Sequence, residues 1–275
     1  MNGEVRRSSI AGSWYPGNPS VLRGDIEGYL KLASIDDIQG EIFGIVAPHA
    51  GYVYSGSVAA YAYKTIRGKR YDTVIVISPS HRMAFPGASI YRRGGYETPL
   101  GIVPVDAEMS DFLINNNVMI SDAPAAHIHE HALEIQLPFL QIVLGPFLLV
   151  PMIMGSQDRR TCESLAKSIT EAAGNQRVLI VGSSDLSHFH DYHKAVSIDQ
   201  TVLQHLGKMD AIGLLNDLTS GRGEACGGGP AAVTMMAASM RGATEAKVLK
   251  YANSGDVTGD RDRVVGYTAA AFWKP

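Results

Sequence analysis

The chain alternates short, continuously apolar runs with stretches in which apolar positions recur every three or four residues. Runs of the first kind predict strands at Ile42–Ala47, Thr73–Ser78, Leu148–Met154, Arg177–Val181, Ala246–Ala252 and Val264–Phe272. "TVIVIS" and "RVLIVG" show no polar alternation, as expected of strands covered on both faces. The second kind predicts helices at Ser57–Ile66, Asp106–Ile114, His131–Val143, Thr161–Ala173, Lys194–Leu206, Ala211–Leu218 and Pro230–Met240. Such alternation specifies an α/β fold, a three-layer α/β/α arrangement with a largely parallel or mixed central sheet. "ASIYRRGGYETPLGIVPVD" departs from it: Gly94 and Gly95 separate two short extended runs, which reads as an inserted hairpin. No linker, repeat or low-complexity stretch divides the sequence, so residues 1–275 read as a single domain.

Open α/β sheets build their sites beyond the carboxyl ends of the strands. His49 follows the first predicted central strand in "APHAGYVYSG", and His81 follows the second in "SPSH". Beyond Arg177–Val181 lies "GSSDLSHFHDYH", carrying Asp185, His188, His190 and His193. "GEACGGGP", with Glu224 and Cys226, precedes the helix at Pro230. One histidine at a strand end is ordinarily structural. Two, each just after a proline in a loop of small residues, joined by an Asp/His cluster and a cysteine among glycines, point to a metal or catalytic centre. Two imidazoles with a carboxylate or thiolate form a recognised open ligand set.

Gly227 to Gly229 allow close backbone approach, and a helix start beside Cys226 is expected to lower its thiol pKa. Ser55–Gly56 is expected to open a helix whose N-terminus faces the same pocket. "HIHEHALEIQLPFL" does not fit H-E-x-x-H, so a zincin site is excluded. There, His131 and Glu134 share a helical face suited to supporting a site, whereas His127 and His129 read as solvated. His190, His193 and His205 read as surface or cap residues, and Cys162, within a helical stretch, as a packing residue.

Composition removes whole classes of function. The 275 residues are 45% hydrophobic and 19% charged, with a formal net charge of −3, so nothing suggests a nucleic-acid or anionic-membrane surface. No apolar run approaches a membrane span, and the N-terminal "MNGEVRRSSIAGSWYPG" lacks the apolar core of a signal peptide. With only 2 cysteines there is no disulfide framework, and a cytoplasmic setting is expected.

"AGSWYPG", "APHAGYVYSG", "SPSH", "EHALEIQLPFL", "SSDLSHF" and "CGGGP", in that order, resemble the Memo family over nearly the whole chain. That resemblance implies the LigB-like fold of class III extradiol dioxygenases, which are non-haem iron enzymes. It implies metal ligands at His49, His81 and Cys226, with Asp185 and His188 lining the same pocket. In the dioxygenases the third ligand is a glutamate, and a histidine resembling His188 acts as acid/base. Here Cys226 stands at that third position with Glu224 nearby, so either is a candidate ligand. Fe(II) is the implied cofactor, with copper or zinc as alternatives that a thiolate also suits. Prokaryotic members accompany a radical-SAM protein and a second partner in the AmmeMemoRadiSam grouping.

Two functions compete on these grounds: a metal-dependent redox enzyme with His188 as proton carrier, and a non-catalytic peptide- or partner-binding module using Trp14, Tyr52 and Tyr54. A hydrolase with Ser183 or Ser184 as nucleophile is a weaker third reading, because "GSSDL" does not match the nucleophile elbow.

Overall fold

A computed structural model of the chain describes residues 4–36 and 38–275; the first three positions of the stretch read for a signal peptide lie outside them. In chain order the strands begin with β1 (Val5–Arg6), β2 (Glu41–Ala47), β3 (Thr73–Pro79), β4 (Ala88–Ile90), β5 (Gly95–Thr98) and β6 (Gly101–Pro104). They continue with β7 (Ile120–Ser121), β8 (Leu148–Met154), β9 (Val178–Ser183), β10 (Asp185–His190), β11 (Glu245–Asn253) and β12 (Val264–Lys274). Nine of them form one sheet in the order β10-β12-β2-β9-β3-β8-β4-β7, with β11 also paired to β12. The centre, β2-β9-β3-β8, is parallel, and β12 and β4 flank it antiparallel.

Side chains of the central strands β3, β8 and β9 alternate between two apolar cores, and β2 does so on either side of an irregularity near Gly44. Val74 and Val76 of β3 join the core that holds Leu22, Tyr63 and Phe139; Ile75 and Ile77 join the one that holds Leu165, Leu214 and Val233. Helices from both halves of the chain thus cover both faces, which makes the architecture three-layer α/β/α with a mixed sheet. Every strand expected from sequence is present, with ends shifted by no more than two residues.

Three local expectations fail. The hairpin turns at Pro99–Leu100 rather than at Gly94–Gly95: β5 and β6 pair antiparallel in a small separate sheet with β1, while β4 joins the main sheet. The helix expected from Ser55–Gly56 begins earlier and spans Tyr52–Thr65, because the Trp14 carbonyl accepts the Tyr52 N–H at 2.9 Å and caps the extra turn. Finally, the His131–Val143 helix is two pieces, His131–Glu134 and Leu137–Leu144, interrupted before Pro138.

Two α-helices were missed, the single turn Gly255–Thr258 and the longer Pro19–Leu32. The signals for Pro19–Leu32 were present: Asn18 caps it, Pro19 opens it, and Leu22, Ile26 and Leu30 bury one face.

Candidate metal centre

Two parallel strands end at proline-led turns on the same edge of the sheet. β2 delivers His49 two residues past Ala47, and β3 delivers His81 two residues past Pro79. His49 is buried, and its backbone N–H donates to Asp185 Oδ1 at 2.7 Å. Its Nδ1 lies 2.9 Å from Ser183 Oγ. That hydroxyl donates its one proton to the Ala132 carbonyl (2.7 Å) and accepts from Gln136 Nε2 (2.7 Å). A hydroxyl has only one proton to give, so His49 Nδ1 must be the protonated nitrogen and Nε2 carries the free lone pair. Gln136 is itself fixed, since its Oε1 accepts from Tyr63 at 2.6 Å and its amide also donates to the Pro48 carbonyl at 3.0 Å.

His81 is held in the same way from another direction. Its backbone N–H donates to Glu130 Oε2 at 2.6 Å and its Nδ1 meets Glu130 Oε1 at 2.9 Å, so Nε2 is the nitrogen left for a ligand. Carboxylate or hydroxyl partners on the far nitrogen are the usual way metal-binding imidazoles are oriented.

The third donor arrives from the glycine loop. Cys226 Sγ lies 3.0 Å from His49 Nε2. Gln157 clamps this loop, donating to the Cys226 carbonyl at 2.9 Å and accepting from the Gly229 N–H at 2.7 Å. Gly227 is obligatory here: a Cβ on it would sit 2.1 Å from the Ser183 carbonyl oxygen. His49, His81 and Cys226 present donor atoms within 4.8 Å of one another, and so do His81, Glu130 and His131.

The donor set therefore fits a soft or borderline divalent ion, with two imidazoles and a thiol. Burial, then the neighbouring His81, lowers the His49 pKa to about 3, so this nitrogen is a lone-pair donor at neutral pH. Cys226 contradicts the sequence-based expectation. Burial and then the Asp185 charge raise its thiol pKa, outweighing the helix N-terminus beside it. A bound cation would displace that proton. Asp185 is also raised, to about 6, by burial against the pull of the His49 N–H.

Of the two candidates for third ligand, Cys226 joins the cluster. The Glu224 carboxylate instead meets His190 Nε2 at 2.8 and 3.0 Å. Asp185 and His188 line a pocket of about 590 Å³ above the imidazoles, together with Trp14, Tyr54, Phe189 and Arg263. β10 is irregular on both sides of His188, and Phe189 adopts φ 64°; a bulge of this kind re-aims a side chain without breaking the strand. Tyr52, considered for the pocket, is buried in the core, where it donates to the Ile135 carbonyl at 2.8 Å. Ser183 and Ser184 are buried and engaged, Ser184 through the Asp185 carbonyl at 2.8 Å, so neither is placed as a free nucleophile.

The "HIHEH" stretch is the part that sequence reasoning resolved least. His127 is not solvated: it is fully buried between Ser89 (3.0 Å) and Tyr96 (2.6 Å), and burial, then the Arg6 charge, lowers its pKa to about 3. His129 is exposed, as expected. His131 joins the imidazole cluster, its ring 4.6 Å from His81, 5.6 Å from His49 and 4.3 Å from Trp14. Glu134 serves the N-terminal segment instead of the pocket, pairing with Arg6 and accepting from Ser8, Ser9 and Tyr15. That network holds the stretch carrying Trp14 against the site. Glu130, Gln136 and Gln157 were missed because no local pattern marks a residue whose role is to orient another.

Residues 6–271 match the family model described as Memo-like protein. A MEMO1 family protein of Methanopyrus kandleri is 34% identical over 97% of this chain and 98% of its own length. Another from Sulfolobus acidocaldarius is 36% identical, covering 98% and 99%. A third, from Nitrosopumilus maritimus, is 34% identical, covering the same shares. With the fold, the ordered motifs and these full-length similarities in agreement, the chain belongs to the Memo-like family.

Proposed function

We propose that this chain is a metal-dependent redox protein in which His49, His81 and Cys226 hold one iron or copper ion below the 590 Å³ pocket. The observation that carries this reading is the convergence of the three donors, with both imidazoles tied back through Nδ1. Iron or copper bound there would supply one-electron and dioxygen chemistry that side chains lack. The protein's own part is to fix the donors beneath the rim of Trp14, Tyr54 and Phe189 and to move a proton. His188 and Asp185 both line the pocket, which supports them as the groups that give or take that proton. A thiolate where extradiol enzymes use a carboxylate argues for a substrate other than a catechol.

Metal analysis of anaerobically purified protein tests the reading first, followed by oxygen uptake with reductants and phenolic substrates. One iron or copper per chain and an uptake lost in His188→Gln are expected. Metal-free protein that binds neither ion would defeat the proposal.

A second reading has its own support. Trp14 (37% exposed), Tyr54 (42%) and Phe189 (60%) form an apolar rim of the kind a binding pocket offers to a peptide or partner. Retained metal with no oxygen uptake on any substrate tried would favour it.

A further inference from the structure

His131 and Glu130 are left with chemistry that the three-donor centre does not use. The Nδ1 of His131 is buried without a hydrogen-bond partner among the described residues, a state that an ordered water or an ion would satisfy. It lies 3.4 Å from Glu130 Oε1, which is itself 2.9 Å from His81 Nδ1. Two ligands of one tetrahedral ion, each bonded at about 2.0–2.1 Å, stand about 3.3 Å apart. The Glu130 carboxylate is fully buried, and among the described residues its side chain has only histidines as ion partners. The backbone N–H groups of His81 (2.6 Å) and Ala132 (3.0 Å) donate to this buried anion, and a cation beside it would balance its charge.

We infer that His81 Nδ1, Glu130 and His131 Nδ1 form a second cation position, sharing the His81 ring with the first. His81 would then be a two-sided ligand, with Nε2 toward His49 and Cys226 and Nδ1 toward Glu130 and His131. Filling both positions requires the His81 Nδ1 proton to leave to solvent, after which the ring bridges the two ions. The second position has its own approach, because His131 also lines a separate cavity of about 360 Å³ beside Trp14, Arg82 and His129. Imidazole and carboxylate donors suit zinc or copper there. The inference rests on the proposed centre for its first ion only, and either position can stand alone.

Zinc alone is the probe, with stoichiometry read by elemental analysis after equilibrium dialysis of metal-free full-length protein. Parent protein is expected to hold two ions at saturation. His131→Phe, which keeps the ring stacking, should hold one, and Cys226→Ser should also hold one. Copper in place of zinc should give the magnetic coupling of a bridged pair in the parent and an uncoupled signal in His131→Phe. Thermal unfolding of the metal-free variants verifies that each is folded; if His131→Phe is not, His131→Gln replaces it. Parent protein that stops at one ion, lost in Cys226→Ser and kept in His131→Phe, would overturn the second position and leave the first. One ion lost in His131→Phe and kept in Cys226→Ser would do the reverse. No zinc in the parent would overturn both.

Discussion

A serine at position 226 keeps the shape of the cysteine and removes its soft donor. Cys226→Ser is therefore expected to lose iron or copper affinity by more than the 10- to 100-fold (approximately) typical of an outer hydrogen-bonding partner, while metal-free unfolding stays close to the parent. Calorimetric metal titration beside thermal unfolding checks both halves, and undiminished affinity would remove the thiolate from the centre. Gln136 makes a different prediction at the same scale. Gln136→Leu takes away the donor to Ser183 Oγ, so the hydroxyl is free to turn toward His49 Nδ1 and the imidazole tautomer is no longer fixed. Metal affinity should fall by about 10- to 100-fold although Gln136 touches no metal. An unchanged affinity would show that the Ala132 carbonyl alone holds the hydroxyl.

At the scale of elements, two glycine substitutions should act in opposite directions. Gly227→Ala forces a Cβ against the Ser183 carbonyl at the crossing of the glycine loop and the end of β9. Overpacking of that kind costs about 1–3 kcal/mol, and the shifted loop carries Cys226 with it, so stability and metal affinity should fall together. Gly24 sits exposed in the middle of the helix Pro19–Leu32, where a Cβ meets nothing within 4 Å. Gly24→Ala should stabilise by about 0.5–1 kcal/mol and leave metal binding untouched. Denaturant midpoints with metal titrations test the pair; a destabilised Gly24→Ala would mean that the helix face is covered in solution.

For the whole molecule, acid stability follows from the buried imidazoles. His49 and His127 are lowered from 6.5 to about 3, and His131 to about 4, chiefly by burial. Each is neutral in the fold and protonates on unfolding, so its contribution is present above pH 6.5 and lost as pH falls toward 3–4. Asp185 runs the other way. Burial raises it from 3.8 to about 6, so its contribution is full below 3.8 and lost as pH rises through 6. Three imidazoles against one carboxyl leave a net uptake of about two protons on unfolding near pH 5. Metal-free protein should therefore lose stability steadily from pH 6.5 to 4.5, measured by urea unfolding across that range. A flat profile would contradict the burial of these rings.

The sequence alone determined the layers of this protein and the edge on which its site lies. Short unbroken apolar runs rich in Val and Ile favour strands covered on both faces, and parallel strands put their following loops on one edge. For that reason His49 and His81 were legible as neighbours before any coordinates. Cys226 was legible only as a candidate beside Glu224. Its place in the cluster depends on a contact with His49 across 177 residues, while the Glu224 carboxylate is taken by His190. The same holds for His127 and His131. They lie in one short polar stretch, yet one ring is buried behind Tyr96 and the other is stacked on His81. Periodicity reports which face of an element is covered. It carries no information on which distant side chain covers it, and only packing in three dimensions decides whether a polar residue meets water, a partner or a metal.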